Sequence, residues 1–291
     1  MDYELFHDES KSDGYWHGML LIASNQKKII LEYLQQARDI TNYFEPLGVK
    51  KIKKRNRVFH CAQAWLSIGF ASLRSKTKGQ PCPIFLGEIG KYETHPPFIN
   101  SKFILFREPS NFQKLTRFPD YGSKFETTFR FGIKGGAHAL GSTENPIRIE
   151  KLHFDGYEHY RRHISKERII GRLTGLREYF IVKDDIEDNC SDHRKSNSQS
   201  YEDCQFLQLT DLFIGSFRAA LGYPTPNFVS DLTLPAIDLI KKTKCGYRRM
   251  QNSRWANSFW MSQCLLETDH WVFNTMEIKE NEEFTQLKII N

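Results

Sequence analysis

Between Cys204 and Leu221 the chain reads Cys-Gln-Phe-Leu-Gln-Leu-Thr-Asp-Leu-Phe-Ile-Gly-Ser-Phe-Arg-Ala-Ala-Leu, and no other segment restricts the fold as much. It predicts a helix surrounded by apolar side chains (Phe206, Leu207, Leu209, Leu212, Phe213, Ile214, Phe217). Gln208, Asp211 and Gly215 fall at offsets of three and four, on one stripe. Asp211 is therefore expected to be partly buried. A carboxylate buried alone costs several kcal/mol, so it needs a cation, a donor or a proton. The bland alternative is an aspartate making structural hydrogen bonds to backbone or Gln.

The composition suits a globular chain around such a helix: 291 residues, 40% hydrophobic and 26% charged. A net charge of +6 permits an anionic partner such as nucleic acid. The cysteines (Cys61, Cys82, Cys190, Cys204, Cys245, Cys264) form no Cys-x-x-Cys pair, which argues against a zinc site or a stapled secreted domain. No signal pattern precedes Phe6, and no apolar run approaches a membrane span, so no membrane partner and a cytoplasmic location are expected.

Tyr3 to Phe6 and Tyr15 to Ser24 read as strands joined by a turn at Lys11 to Gly14, with Asp8 and Glu9 where the first strand ends. Residues 26–44 and 59–73 have helical period, with Asn25 as N-cap of the first. Between them, Lys-Lys-Ile-Lys-Lys-Arg-Asn-Arg (50–57) is the densest positive run. Without interleaved aromatics it reads as a solvated face rather than a phosphate contact. Residues 81–145 include an expected insertion, best placed at 90–121, with a short strand at 81–87, another at 103–106, and a helix at 124–140 whose Gly132, Gly135 and Gly136 serve packing or a bend. Residues 147–154 form a strand ending at Asp155, 165–180 a helix, 183–203 a polar loop, and 232–242 a helix. Lys244, Arg248, Arg249 and Arg254, close to Trp255, Phe259 and Trp260, are the better nucleic-acid contact by composition.

Asp8 and Glu9 repel each other unless a cation, a basic group or water lies between them. A solvated turn explains the pair in isolation. Asp155 after a later strand and Asp211 on the apolar helix change the weighting, because nucleases of the ribonuclease H-like class gather three or four carboxylates from distant segments. Such a cluster holds two divalent metals about 4 Å apart, one activating a water and the other steadying the leaving oxygen. Oxygen ligands favour Mg2+ or Mn2+. His153, two residues before Asp155, lies on the same strand face and is the histidine best placed to assist; His7, His159, His163 and His193 read as structural or surface residues.

Asp8-Glu9-Ser10, the Gly18 strand, the strand ending at Asp155, and Leu207-Gln208-Leu209-Thr210-Asp211-Leu212 with Gly215 together resemble the domain-of-unknown-function 3800 family. The resemblance covers about residues 3–221 in order, and Lys11 departs from the usual glycine. It implies an α/β fold, a ribonuclease H-like mixed sheet flanked by helices over 1–221, with 222–291 as an extension. It also implies a metal-dependent nuclease, with Asp8, Asp155 and Asp211 as metal ligands, Glu9 as a further catalytic carboxylate, and Ser10, His153 and Gln208 supporting them. A context in mobile elements or phage defence comes with the family. The competing expectation is a catalytically silent subunit that binds nucleic acid or a protein partner, including another copy of itself.

Overall fold

The structure, a computed structural model, describes residues 1–74, 84–85, 92–93, 97–109, 118–155, 168–169, 171, 173, 180–182, 186–189, 192–194, 201–225, 230–242, 258–267 and 270–276. In chain order the first half supplies β1 (Asp2–Ser10), β2 (Tyr15–Ala23), α1 (Lys27–Thr41), α2 (Arg57–Ser72), β3 (Ile84–Phe85), β4 (Tyr92–Glu93), β5 (Lys102–Glu108) and α3 (Tyr121–Leu140). The second half supplies β6 (Ile147–Asp155), β7 (Phe180–Val182), β8 (Ile186–Asn189), α4 (Tyr201–Ala220), α5 (Ser230–Lys242), β9 (Phe259–Glu267) and β10 (His270–Thr275).

The fold is α/β. Among the described residues, eight strands form one mixed sheet in the order β10-β9-β5-β2-β1-β6-β7, with β8 continuing the β7 edge alongside β6. β1, β2 and β5 are successively antiparallel, whereas β6 runs parallel to β1 and β9 parallel to β5. All nine residues of β2 are buried, because helices cover both faces at the centre. One layer contains α1, α2, α4 and α5 around Phe6, Leu20, Trp65, Phe103 and Phe213. The other contains α3, packed on Leu5, Met19, Leu21 and Phe154. No described helix is long and apolar enough to cross a membrane.

Local chemistry sets the element ends. Asn56 and Asp120 cap α2 and α3 by accepting from Phe59 N (3.4 Å) and Ser123 N (2.8 Å). Asn42, at φ 48°, closes α1. Asn25 does not cap that helix: it lies in a 3-10 turn, Ser24–Gln26, and α1 starts after it. The α3 glycines serve packing, since a Cβ on Gly136 would lie 2.2 Å from Ile104 Cδ1.

Four expectations change. β1 runs through Asp8 and Glu9 to Ser10, because β2 continues to pair with it as far as Ser10↔Trp16. The segment 90–121 read as an insertion supplies β5, an interior strand between β2 and β9, and the helix expected at 124–140 is α3, which covers one face. The C-terminal extension adds β9 and β10 to the same sheet, and the polar stretch 183–203 contributes β8 and the start of α4. The helix expected over 165–180 lies largely outside the described residues.

Candidate metal centre

Asp8 and Asp155 come together through strand register. Parallel pairing sets Phe6 against His153 and His7 against Phe154, so the next step brings Asp8 beside Asp155 at neighbouring strand ends, where adjacent strands lie about 4.8 Å apart. Phe6 and His153 stack at 4.4 Å on the α4 side. Alternation then puts Asp8 and Asp155 on that same side.

α4 crosses this face close to the sheet. Asp8 pairs with Gly18, and a Cβ there would lie 2.4 Å from Ile214 Cγ1, so only glycine lets the helix approach. Asp211, one turn before Gly215, thereby joins the two strand-end aspartates. Its Oδ2 accepts Val49 N–H at 2.8 Å, and Gln208 Oε1 accepts Leu47 N–H at 2.7 Å. The stripe recognised on the helix therefore does two jobs. It contributes a carboxylate and it fastens the loop before α2.

Asp8 and Asp211 both feel the charge of Asp155. Burial, then the charges of Asp155 and Asp211, raise the Asp8 carboxyl well above the usual carboxylate range, opposed in part by Glu9 N–H, which donates to Asp8 Oδ1 at 2.7 Å. Burial raises Asp211 as well, and Asp155 adds to it, while the Val49 N–H, Lys50 and Arg218 pull it down. Asp8 and Asp211 make no ion pair among the described residues, and neither Asp8 Oδ2 nor Asp211 Oδ1 accepts a hydrogen bond there. Asp8 and Asp211 thus each offer a carboxylate oxygen of the kind that suits a hard divalent cation such as Mg2+ or Mn2+, while the ligand atoms of Asp8, Asp155 and Asp211 do not all lie within 4.8 Å of one another.

The other expected members are placed differently. Glu9 points to the opposite face, where it accepts from Tyr15 Oη at 2.5 Å and pairs with Lys11 at 2.9 Å. No bend follows Asp8: the strand alternates its side chains through Ser10, so Glu9, expected as a further catalytic carboxylate, is not brought to the face of Asp8. Ser10 Oγ accepts from Arg218 Nη1 at 2.7 Å. His153 is engaged by Glu4. Its buried ring gives Nε2 to Glu4 Oε2 at 2.7 Å and lies between Phe6 and the Glu4 carboxylate. Lys244, Arg248, Arg249 and Arg254 lie outside the described residues. Arg218 was not singled out from sequence, although it extends the Gln208–Asp211–Gly215 stripe by another three residues. It is 5% exposed, stands over Trp16 at 5.4 Å, and carries positive charge toward Asp211.

A second cluster has ligand atoms within 4.8 Å of one another: Glu4, His153 and Asp203. Here the cation is built in. Lys27 Nζ lies 2.6 Å from both Glu4 Oε2 and Asp203 Oδ1. Burial alone would raise Glu4, but hydrogen bonds from His153 and Lys27 outweigh it and hold the group at about 2. Proximity favours this cluster as a metal site, whereas the ammonium in its middle makes it a closed ion-pair network. On the α3 side of β1, His7 Nε2 meets His17 Nδ1 at 2.9 Å, and His17 Nε2 meets Thr128 Oγ1 at 2.7 Å. Thr128 donates to Lys124 O, so it accepts from His17 Nε2–H, and His17 Nδ1 in turn accepts from His7 Nε2–H. His17 is neutral in this pattern because its Nδ1 accepts, and burial drives His7 down to about 3 and His17 well below its ordinary value.

No family model, curated protein or solved structure matches the chain at a significant level.

Proposed function

We propose that this protein is a divalent-metal-dependent nuclease with a ribonuclease H-like fold, related to the domain-of-unknown-function 3800 family. The observation that carries the reading is the convergence of Asp8, Asp155 and Asp211 on one face, with Asp8 raised by burial and then by the charges of the other two. Support for the fold comes from the order β5-β2-β1-β6-β7, three antiparallel strands followed by strands parallel to β1. Nucleic acid, RNA or DNA, is the substrate of this reading.

Asp8, Asp155 and Asp211 would hold Mg2+ or Mn2+. The bound cation supplies a Lewis acid for phosphodiester hydrolysis. The chain itself fixes the ligands beforehand: Glu9 N–H orients Asp8, Val49 N–H orients Asp211, and strand register orients Asp155. Arg218, buried beside the site and hydrogen-bonded to Ser10, adds a fixed positive charge that favours an anionic substrate.

The test is cleavage of end-labelled RNA, DNA and hybrid in Mg2+ or Mn2+. The wild type is expected to cut at least one substrate and to stop in EDTA. Asp8→Asn and Asp211→Asn are expected to lose activity on the order of 100-fold or more while remaining folded. Cleavage that survives both substitutions overturns the reading.

A further inference from the structure

The run Lys50–Arg57 reads from sequence as a solvated face, yet its placement is specific. The loop leading into it is nailed to the carboxylate helix by Leu47 N–H on Gln208 and Val49 N–H on Asp211. Arg38, fully buried, donates to Tyr43 O, Glu45 O and the Gln208 amide oxygen, and Ile52 is fully buried in the middle of the run. Lys50 begins one residue after the Asp211 tether. From there Lys50, Lys51, Lys53, Lys54, Arg55 and Arg57 are all exposed. Arg55 pairs with Asp231 at 2.6 Å, and Lys51 Nζ donates to Pro46 O at 2.7 Å. Lys50, Lys53, Lys54 and Arg57 make no ion pair among the described residues.

Like charges held on a fixed loop repel one another, and Lys50, Lys53, Lys54 and Arg57 have no ion-pair partner among the described residues to offset this. Their neighbour is a cluster of carboxylates that repels any anion approaching unaided. A ligand that can use both is a polyanion with charges spread along its length: one phosphate at the carboxylate-held cation, the next ones on the lysines. Isolated small phosphates would engage only one end. The lack of aromatics within the run excludes base stacking there and leaves the phosphates as what it recognises, independent of sequence.

We propose that Lys50, Lys53, Lys54 and Arg57 form the track on which a nucleic acid lays its sugar-phosphate backbone, held in line with the carboxylates by the Val49–Asp211 tether. This rests on the nuclease reading for what happens at the carboxylates, but binding to the track does not need chemistry.

The experiment is fluorescence anisotropy of a labelled oligonucleotide, single-stranded and duplex, in EDTA, with salt varied between roughly 50 and 200 mM. Wild type is compared with the full-length Lys50→Gln/Lys53→Gln/Lys54→Gln/Arg57→Gln variant. The slope of log K against log salt is expected to become shallower by about 0.7 to 0.9 for each phosphate that no longer meets a cation, hence by about 3, with affinity at low salt down on the order of 10-fold or more. If that variant loses stability, Lys53→Glu/Lys54→Glu, at two exposed positions, is expected to move slope and affinity the same way. Unchanged slope and affinity overturn the proposal. Displacement by polyaspartate as effective as by unlabelled oligonucleotide overturns it too, in favour of an acidic protein partner. Asp8→Asn, assayed alongside, separates the two readings: if it binds like wild type and wild type cuts nothing, the track stands and the catalytic reading falls.

Discussion

Asp8 is asked to be an anion among anions. Burial and two neighbouring carboxylates favour its neutral form, and its one hydrogen bond in the described structure is from Glu9 N–H to Oδ1. Asparagine keeps that acceptor and removes the charge. Asp8→Asn is therefore expected to raise the metal-free thermal midpoint by about 2 °C, corresponding to roughly 1 kcal/mol. It is also expected to abolish the rise that millimolar Mg2+ or Mn2+ gives the wild type, since a ligand of the native state stabilises it. Differential scanning fluorimetry with and without metal reads both. An equal metal response in wild type and variant would remove Asp8 from the site. Sequence alone reached Asp8, Asp155 and Asp211 because each ends a strand or interrupts an apolar helix. It missed Arg218 because a single arginine near a helix end looks like surface charge. Only the packing of α4 over Trp16 makes it a buried cation.

At the scale of elements, the strand β1 separates two chemistries: carboxylates toward α4, paired histidines toward α3. Local turn signals placed its end at Asp8, but the length of a strand depends on its partner, and β2 extends it to Ser10. Glu9 left the site through that difference alone. The histidine pair gives the β1–α3 contact a pH dependence. His7 falls to about 3 in the fold from about 6.5 unfolded, so below about 6.5 the unfolded chain takes up protons that the native state refuses. Stability from this source is intact above about pH 6.5 and falls as pH drops toward 3. Asp8 and Asp211, raised in the fold, work in the opposite sense, so the comparison must cancel them. Between pH 7 and 5 the wild type is expected to lose about 2 kcal/mol or more relative to His7→Leu/His17→Leu, measured by urea unfolding. Parallel pH profiles would show that the rings are not held neutral.

Across the whole molecule, Lys27 joins elements that are distant in sequence. From α1 it bridges Glu4 of β1 and Asp203 of α4, and Glu4 passes the link to His153 of β6. Lys27→Met leaves the two carboxylates facing each other, part-buried, and is expected to cost about 2 kcal/mol in urea unfolding. It also opens a place among Glu4, His153 and Asp203, so Zn2+ is expected to raise the thermal midpoint of the variant and not of the wild type. No change in stability would mean that the network is dispensable. Helices with clear period were legible from sequence: α1, α2 and α4 lie within a few residues of their expected bounds. β5 was not seen as central, since Phe103 to Phe106 looks like any short apolar run and its rank in the sheet depends on β2 and β9.

That sheet order has a consequence during synthesis. Phe103 of β5 pairs on its outer side with Phe259 of β9, so that edge stays free until the ribosome has delivered Phe259–Glu267. Asp8, Asp155 and Asp211 have all emerged by then. The nascent protein can assemble its carboxylate face while one flank of the sheet is still open, and the interval before β9 arrives is when an unpaired β5 is most exposed to pairing with another chain.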